Sequence, residues 1–170
     1  MERKGSRVLL LGSPLRGSHI IPQIMLREER FFKIIHNMDI TNTQKELLEI
    51  IMDYPGILDL LPENSDAYSN GNAIEYFGND FYETLLKYDD KFSRPKNQKL
   101  IESEKRREKF KSEPIKGKNV FYIAGRSDST PAKLIENTSS KGKRFKLLGT
   151  SRGDGRVTWA SGITKELKYK

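Results

Sequence analysis

Cysteine is absent from the 170-residue sequence, which excludes a disulfide framework and every thiolate metal site and fits a cytosolic setting. Histidine is nearly absent too: His19 and His36 are the only two, leaving little for imidazole chemistry. No apolar run approaches the roughly 20 residues of a membrane-spanning helix. The run Val8–Leu11 behind Arg3 and Lys4 is also shorter than the about 7 to 15 residues of a signal-peptide core, and Ser13-Pro14 follows it, so no export signal or transmembrane segment is expected. A phosphate-cradling Gly-x-x-x-x-Gly-Lys-Ser/Thr loop, an Asp-x-Asp-x-Asp-Gly loop and a His-x-x-x-His pair are all missing. Asp53, Asp59, Asp66 and the pair Asp89-Asp90 therefore read as solvated acids, with no metal or cofactor expected.

What is present is charge. Charged residues make up 32% and apolar residues 35% of the chain, with a formal net charge of +8. The length fits one domain. Residues 91–118 hold eleven Lys or Arg against four Glu, a net of +7, so the remainder carries 8 − 7 = +1. Lysines interleaved with glutamates on a helix make a solvated face. The alternative is a non-catalytic binding module that uses residues 91–118 on an anionic partner. Phe92 and Phe110 are the only aromatics inside that run, too sparse for a base-stacking platform, and no nucleic-acid motif is present, so specific nucleic-acid binding is not expected.

Apolar patterning gives the outline. Val8-Leu9-Leu10-Leu11-Gly12 does not alternate, which predicts a strand buried on both faces, as in a parallel sheet with neighbours on each side. The sequence begins almost at that strand, so the expectation is of a missing half. From His19 to about Lys111 the period is helical. Thr43 or Asn42 is positioned to cap a helix over Gln44–Tyr54, whose Leu47, Ile50, Ile51 and Tyr54 form an i, i+3, i+4, i+7 stripe expected to face the core. Pro55-Gly56 stops it, Ile57–Pro62 adds an apolar cluster, and Glu63–Asn72 is a loop. Phe77, Phe81, Leu85 and Tyr88 share a second helical face, and Lys99–Ser112 is a polar, exposed helix. Beyond Pro114, Val120–Ala124 and Arg144–Leu148 read as strands, and Thr130–Ala132 and Ser139–Gly142 as loops.

Two glycine-rich turns follow strands: Gly12–Ser18 and Gly153-Asp154-Gly155. In open α/β folds such carboxyl-edge turns hold ligands and catalytic groups, and flanking glycines let the backbone present the Asp154 carboxylate unobstructed. A simple Asp-Gly turn is the alternative.

Leu9–Ser18 resembles the LGTPNRGS stretch after the nucleophile helix of lipase-like α/β hydrolases, and Tyr54–Pro62 resembles the PGLYELLP segment of their helical cap. Val120–Gly125 is similar to the next sheet strand, Thr130-Pro131-Ala132 to the TPA loop, and Gly153–Val157 to the GDGTVP loop of the lecithin:cholesterol acyltransferase-like branch. The order of motifs covers nearly the whole chain. The resemblance implies a single, partial α/β-hydrolase domain over 1–170, with a sheet strand and loop at 6–18, a large helical cap insertion at 19–115, and sheet strands with the acid loop at 119–170. It implies Asp154 as the triad acid, orienting a histidine that activates a serine against an ester or lipid-like substrate. Arg156 and Thr158 stand where the motif has Thr and Pro. The family order is Ser, acid, His, yet both histidines precede Asp154 and no serine elbow precedes Val8. The expectation is the carboxyl-side portion of a serine ester hydrolase or acyltransferase, truncated at both ends and inactive alone, with a separate N-terminal half as its possible partner.

Gly149-Thr150-Ser151-Arg152-Gly153 matches Gly-x-Ser-x-Gly formally. An elbow requires a helix directly after it, whereas Asp154-Gly155 continues the turn, so no nucleophile is assigned. Ser18-His19 are adjacent, His19 reads as a helix-start or surface residue, and His36 lies on a helix face.

Overall fold

The computed structural model describes residues 5–63, 74–89, 91–113, 115, 117–136, 145–164 and 167. Helices and two small sheets are combined, a loosely α/β arrangement. Among the described residues, strand β1 (Val8–Leu11) is followed by six helices, α1 (Ile20–Met25), α2 (Arg30–Met38), α3 (Gln44–Asp53), α4 (Pro55–Asp59), α5 (Asn79–Tyr88) and α6 (Asn97–Ser112). Then come β2 (Val120–Ile123), β3 (Thr130–Glu136), β4 (Phe145–Thr150) and α7 (Trp159–Gly162).

β1 and β2 pair in parallel with Leu9 opposite Phe121 and Leu11 opposite Ile123, so the chain leaves β1, traverses the helices and returns beside it. The burial expected of β1 is not found. Leu9 is 56% and Leu11 65% exposed, and their partners Phe121 and Ile123 are 42% and 55% exposed. Among the described residues this sheet has two strands only, and nothing packs closely over that face. On the other face the Tyr122 hydroxyl donates to the Ser13 carbonyl and packs so tightly on α7 that Gly162 has no room for a Cβ.

Two further expectations are corrected. Thr130–Ala132 is the start of β3 and not a loop: Thr130, Ala132 and Leu134 are buried while Pro131, Lys133 and Ile135 are only half-buried, the alternation of a strand with one face on the core. Pro131 sits at a bulge, where a residue without an N–H is tolerated. The strand expected at 144–148 runs from Phe145 to Thr150 and pairs antiparallel with β3, so it forms a separate hairpin and does not extend the parallel sheet. Arg144, Asp66, Asp90 and the 139–142 loop lie outside the described residues, as does nearly all of the 63–72 loop.

The core belongs to the helical segment. Ile21, Met25, Phe32, Leu48, Met52, Leu58, Leu61, Tyr82, Leu85 and Phe92 are buried together, joined by Leu134 and Phe145 from the hairpin, and no residue of β1 or β2 takes part. α3 begins at Thr43, whose side chain accepts from Glu46 N while Glu46 reaches back to Thr43 N, a reciprocal cap. Its buried face is Leu47, Leu48 and Met52, turned from the expected stripe, for Ile50 and Tyr54 are exposed. Pro55 ends α3 and opens α4 at its first position, where its missing N–H has no partner to lose. Phe77 precedes α5, which buries Phe81, Tyr82 and Leu85.

α6 is held to α4 by charge. Arg106 binds the Asp59 carboxylate through two nitrogens, and the buried Arg107 donates to the carbonyls of Asp59 and Leu61 at 2.7 and 2.5 Å. Arg107 also lies 3.2 Å from Glu63, and Lys99 and Lys96 reach Asp53.

Candidate functional site

The parallel pair ends in two glycines that converge on one carboxylate. Gly12 continues β1 into the sheet, its N–H donating to the Ile123 carbonyl at 3.0 Å, and then turns with φ +53°. A Cβ on Gly12 would stand 2.6 Å from Asp154 Oδ2, and one on Gly125, just past β2, 2.8 Å from Asp154 Cβ. Both positions need glycine because the acid occupies the space, and at Gly12 the left-handed backbone adds a second reason. Asp154 therefore lies at the carboxyl ends of β1 and β2.

The acid loop is anchored on every side. Asp154 Oδ1 accepts from Arg156 N at 2.8 Å and Val157 N at 2.7 Å, folding the loop over its own carboxylate. Gly155, at φ +95°, donates to the buried Thr130 hydroxyl at 2.8 Å. Ser18 Oγ donates to the Arg156 carbonyl at 2.5 Å, and the Arg156 guanidinium lies 3.5 Å from Glu29, a buried residue that caps α2 through Phe32 N. Ser127 N donates to the Gly153 carbonyl, and Trp159 Nε1 to the Gly125 carbonyl at 2.7 Å. These contacts hold Oδ1 and the backbone while Oδ2 has no hydrogen-bond donor among the described residues. Burial, aided by the nearby Asp154 charge, pushes the Tyr122 hydroxyl up to about 12, so it remains a donor.

Arg156 and Thr158, the two residues that depart from the acid-loop pattern, both have structural employment: Arg156 meets Glu29, and Thr158 caps α7 by accepting from Ser161 N. The Arg156 contact was not legible, since it depends on pairing between distant segments, whereas the Thr158 cap is local, three residues from its donor. The signal that pointed to the corner was the pair of glycine turns after strands.

The other residues weighed in the sequence do not join Asp154. Ser151 is an exposed residue in a bend after β4, and the first helix beyond it starts at Trp159. Strand, bend and Gly153–Thr158 bridge leave no elbow there. His19 precedes α1, packed edge-on against Tyr76 at 6.1 Å, and burial lowers it to about 4, so it is neutral near pH 7. His36 sits on α2, its Nδ1 buried without a hydrogen bond. Asp53, Asp59 and Asp89 pair with Lys99, Arg106 and Arg27. No three acidic or histidine side chains gather as metal ligands among the described residues. Likewise, no helix among them is long and apolar enough to cross a membrane.

Grooves lie elsewhere. One of about 680 Å³ separates the end of α3 from the segment before α6, and one of about 360 Å³ lies between Pro14-Leu15 and Phe110; Asp154 lines neither. Compared with known proteins, the chain matches no family model, no curated protein and no solved structure.

Proposed function

We propose that this chain forms the acid-bearing part of a serine ester hydrolase or acyltransferase centre built on a partial α/β-hydrolase sheet, with the helices between β1 and β2 as its cap. The observation that supports the reading is the corner of Gly12, Gly125 and Asp154 at the carboxyl ends of two parallel strands, with Oδ1 bonded to the loop and Oδ2 free of donors among the described residues. An acid so placed accepts the N–H of an imidazole through Oδ2. It fixes the tautomer and stabilises the imidazolium formed when the other ring nitrogen takes a proton from a serine hydroxyl attacking an ester carbonyl. That proton then passes to the alkoxide leaving group, and water or a second alcohol releases the acyl group. The serine and histidine are supplied from outside these residues, since Ser151, His19 and His36 do not meet Asp154. The exposed Leu, Ile and Phe side chains suit an ester or lipid-like substrate, whose acyl part must be kept from water.

The test is an esterase assay on the 170-residue chain and on the polypeptide encoded together with its flanking coding sequence. The chain alone is expected to leave p-nitrophenyl butyrate at the buffer rate. The extended polypeptide is expected to turn it over, with Asp154→Asn lowering kcat by about 10⁴-fold, the loss measured for this substitution in the serine-protease triad. Turnover indifferent to Asp154→Asn, or turnover by the chain alone that Ser151→Ala abolishes, overturns the reading.

A further inference from the structure

We propose that the groove of about 360 Å³ between the loop after β1 and the last turns of α6 binds a small amphiphilic monocarboxylate, its apolar body on Leu15 and Phe110 and its head group beside Arg16 and Lys111. Asp154 lines no part of this groove, so the inference goes beyond the proposed ester chemistry and does not depend on it.

The groove is built round one over-supplied carboxylate. Glu63, on its wall, is approached by Arg107 at 3.2 Å and Lys111 at 3.8 Å on one oxygen and by Arg16 at 3.9 Å on the other. The Arg16 side chain makes no hydrogen bond among the described residues, yet its backbone is fixed: its N–H donates to the Ser161 carbonyl and its carbonyl accepts from Glu63 N. Arg107 is buried, and its Nη2 makes no hydrogen bond even to Glu63. Beside them Arg106 is held by Asp59 and Lys111 by Glu108. Four cations thus meet three acids on or beside the groove, a surplus of one positive charge. That surplus matches a monoanion, whereas a phosphate dianion would reverse the sign of the site. A guanidinium with unspent donors pairs with a carboxylate through two parallel bonds.

The remaining walls are apolar and their spacing sets the size of the ligand. Pro14 and Leu15 are half-buried on one side and Phe110 is exposed on the other. The walls stand before any ligand arrives, because Arg107 clamps α6 to the Asp59 and Leu61 carbonyls at the end of α4. At about 30 Å³ for each non-hydrogen atom, the share of a water molecule in the liquid, the groove holds roughly a dozen such atoms, near the lower bound for ligand pockets. Octanoate is of that size. A nucleotide or a lipid with two acyl chains is too large. A neutral alcohol fits the apolar walls but leaves the surplus charge unmatched, and an ammonium adds to it.

The probe is sodium octanoate, titrated into the full 170-residue chain beside octan-1-ol and octylammonium and followed by calorimetry and amide NMR. Octanoate is expected to bind with a submillimolar Kd and to shift the Leu15, Arg16 and Phe110 amides, octanol to bind about tenfold more weakly or worse, and octylammonium not to bind. Arg16→Gln, at a side chain without a hydrogen bond, should keep the parent's far-UV dichroism and lower octanoate affinity about tenfold. Glu63→Gln removes a competitor for the same cations and should raise octanoate affinity several-fold; if that variant fails to fold, the Arg16→Gln comparison still decides. Phe110→Asp should weaken octanoate and octanol alike. Asp154→Asn should leave binding unchanged, and binding is read without catalysis, so failure of the ester-hydrolase reading and failure of this one are seen separately. Equal affinity for octanoate and octanol, amide shifts confined to residues away from Leu15 and Phe110, or an Arg16→Gln variant that binds octanoate as well as the parent overturns the inference.

Discussion

Gly12 and Asp154 approach so closely that a single methyl group at position 12 would stand 2.6 Å from the carboxylate oxygen Oδ2. Gly12→Ala must displace the acid and also hold a left-handed φ of +53°. A loss of about 1–3 kcal/mol in unfolding free energy is expected, together with broadened Asp154-loop amide signals. A variant as stable as the parent, with an unchanged loop, would show that the corner is loose.

Acid should destabilise the protein through His19. Its folded value is lowered from 6.5 to about 4 by burial, so between those pH values the unfolded chain binds more protons and stability falls as pH falls. Replacing it by Phe keeps an edge-on ring against Tyr76 and removes the titration. The parent should lose on the order of 2 kcal/mol more than His19→Phe between pH 7 and pH 4, measured by urea unfolding. Parallel stability curves for the two proteins would contradict this.

Arg107 should be the most sensitive position of the basic segment. Arg107→Ala leaves the Asp59 and Leu61 carbonyls without their donor, removes the nearest cation from Glu63, and is expected to lower stability by about 2–4 kcal/mol. Arg107→Lys should recover only part of that, because one ammonium cannot span all three acceptors. Equal thermal midpoints for parent and Ala variant would refute the clamp.

The reciprocal cap of α3 is exposed, and its loss should be local. Thr43→Ala is expected to lower stability by about 1 kcal/mol, with faster amide exchange confined to the first turn of α3. Uniformly faster exchange across the chain would mean that this turn governs global opening.

Polyanion binding by residues 91–118 should be weak. Lys96, Lys99, Arg106, Arg107 and Lys111 already face acids within the chain. DNA or RNA titrations should show binding at low salt that fades steeply toward physiological salt. Sequence-selective binding that survives the higher salt would instead favour the binding-module alternative.

Local signals were legible in proportion to how local their causes are. The apolar runs at Val8 and Val120, the Thr43 cap and the Pro55 break are each decided within a few residues, and the strands and helix appear there. β3 was hidden because Pro131 reads as a breaker, and only its bulge against Gly149 and Leu148 makes room for it. The inward face of α3 was misplaced by about one position, since Leu48 and Met52 rather than Ile50 and Tyr54 meet the buried cluster. A periodic stripe does not say which flank its neighbours will cover. Asp154 was visible between its glycines, but Gly125, Thr130 and Glu29 reach its loop only through the fold.

The return of the chain from β1 to a strand beside it also sets an order of assembly. Ends separated by the whole helical segment meet at a high entropic cost until that segment has collapsed, whereas the helices need only nearby partners. Pulse-labelled exchange should therefore find the Leu48 amide protected before that of Leu10, and the reverse order would show the sheet to be the nucleus. The parallel pair closes last, like a clasp, and Asp154 gains its two glycine neighbours only at that final step.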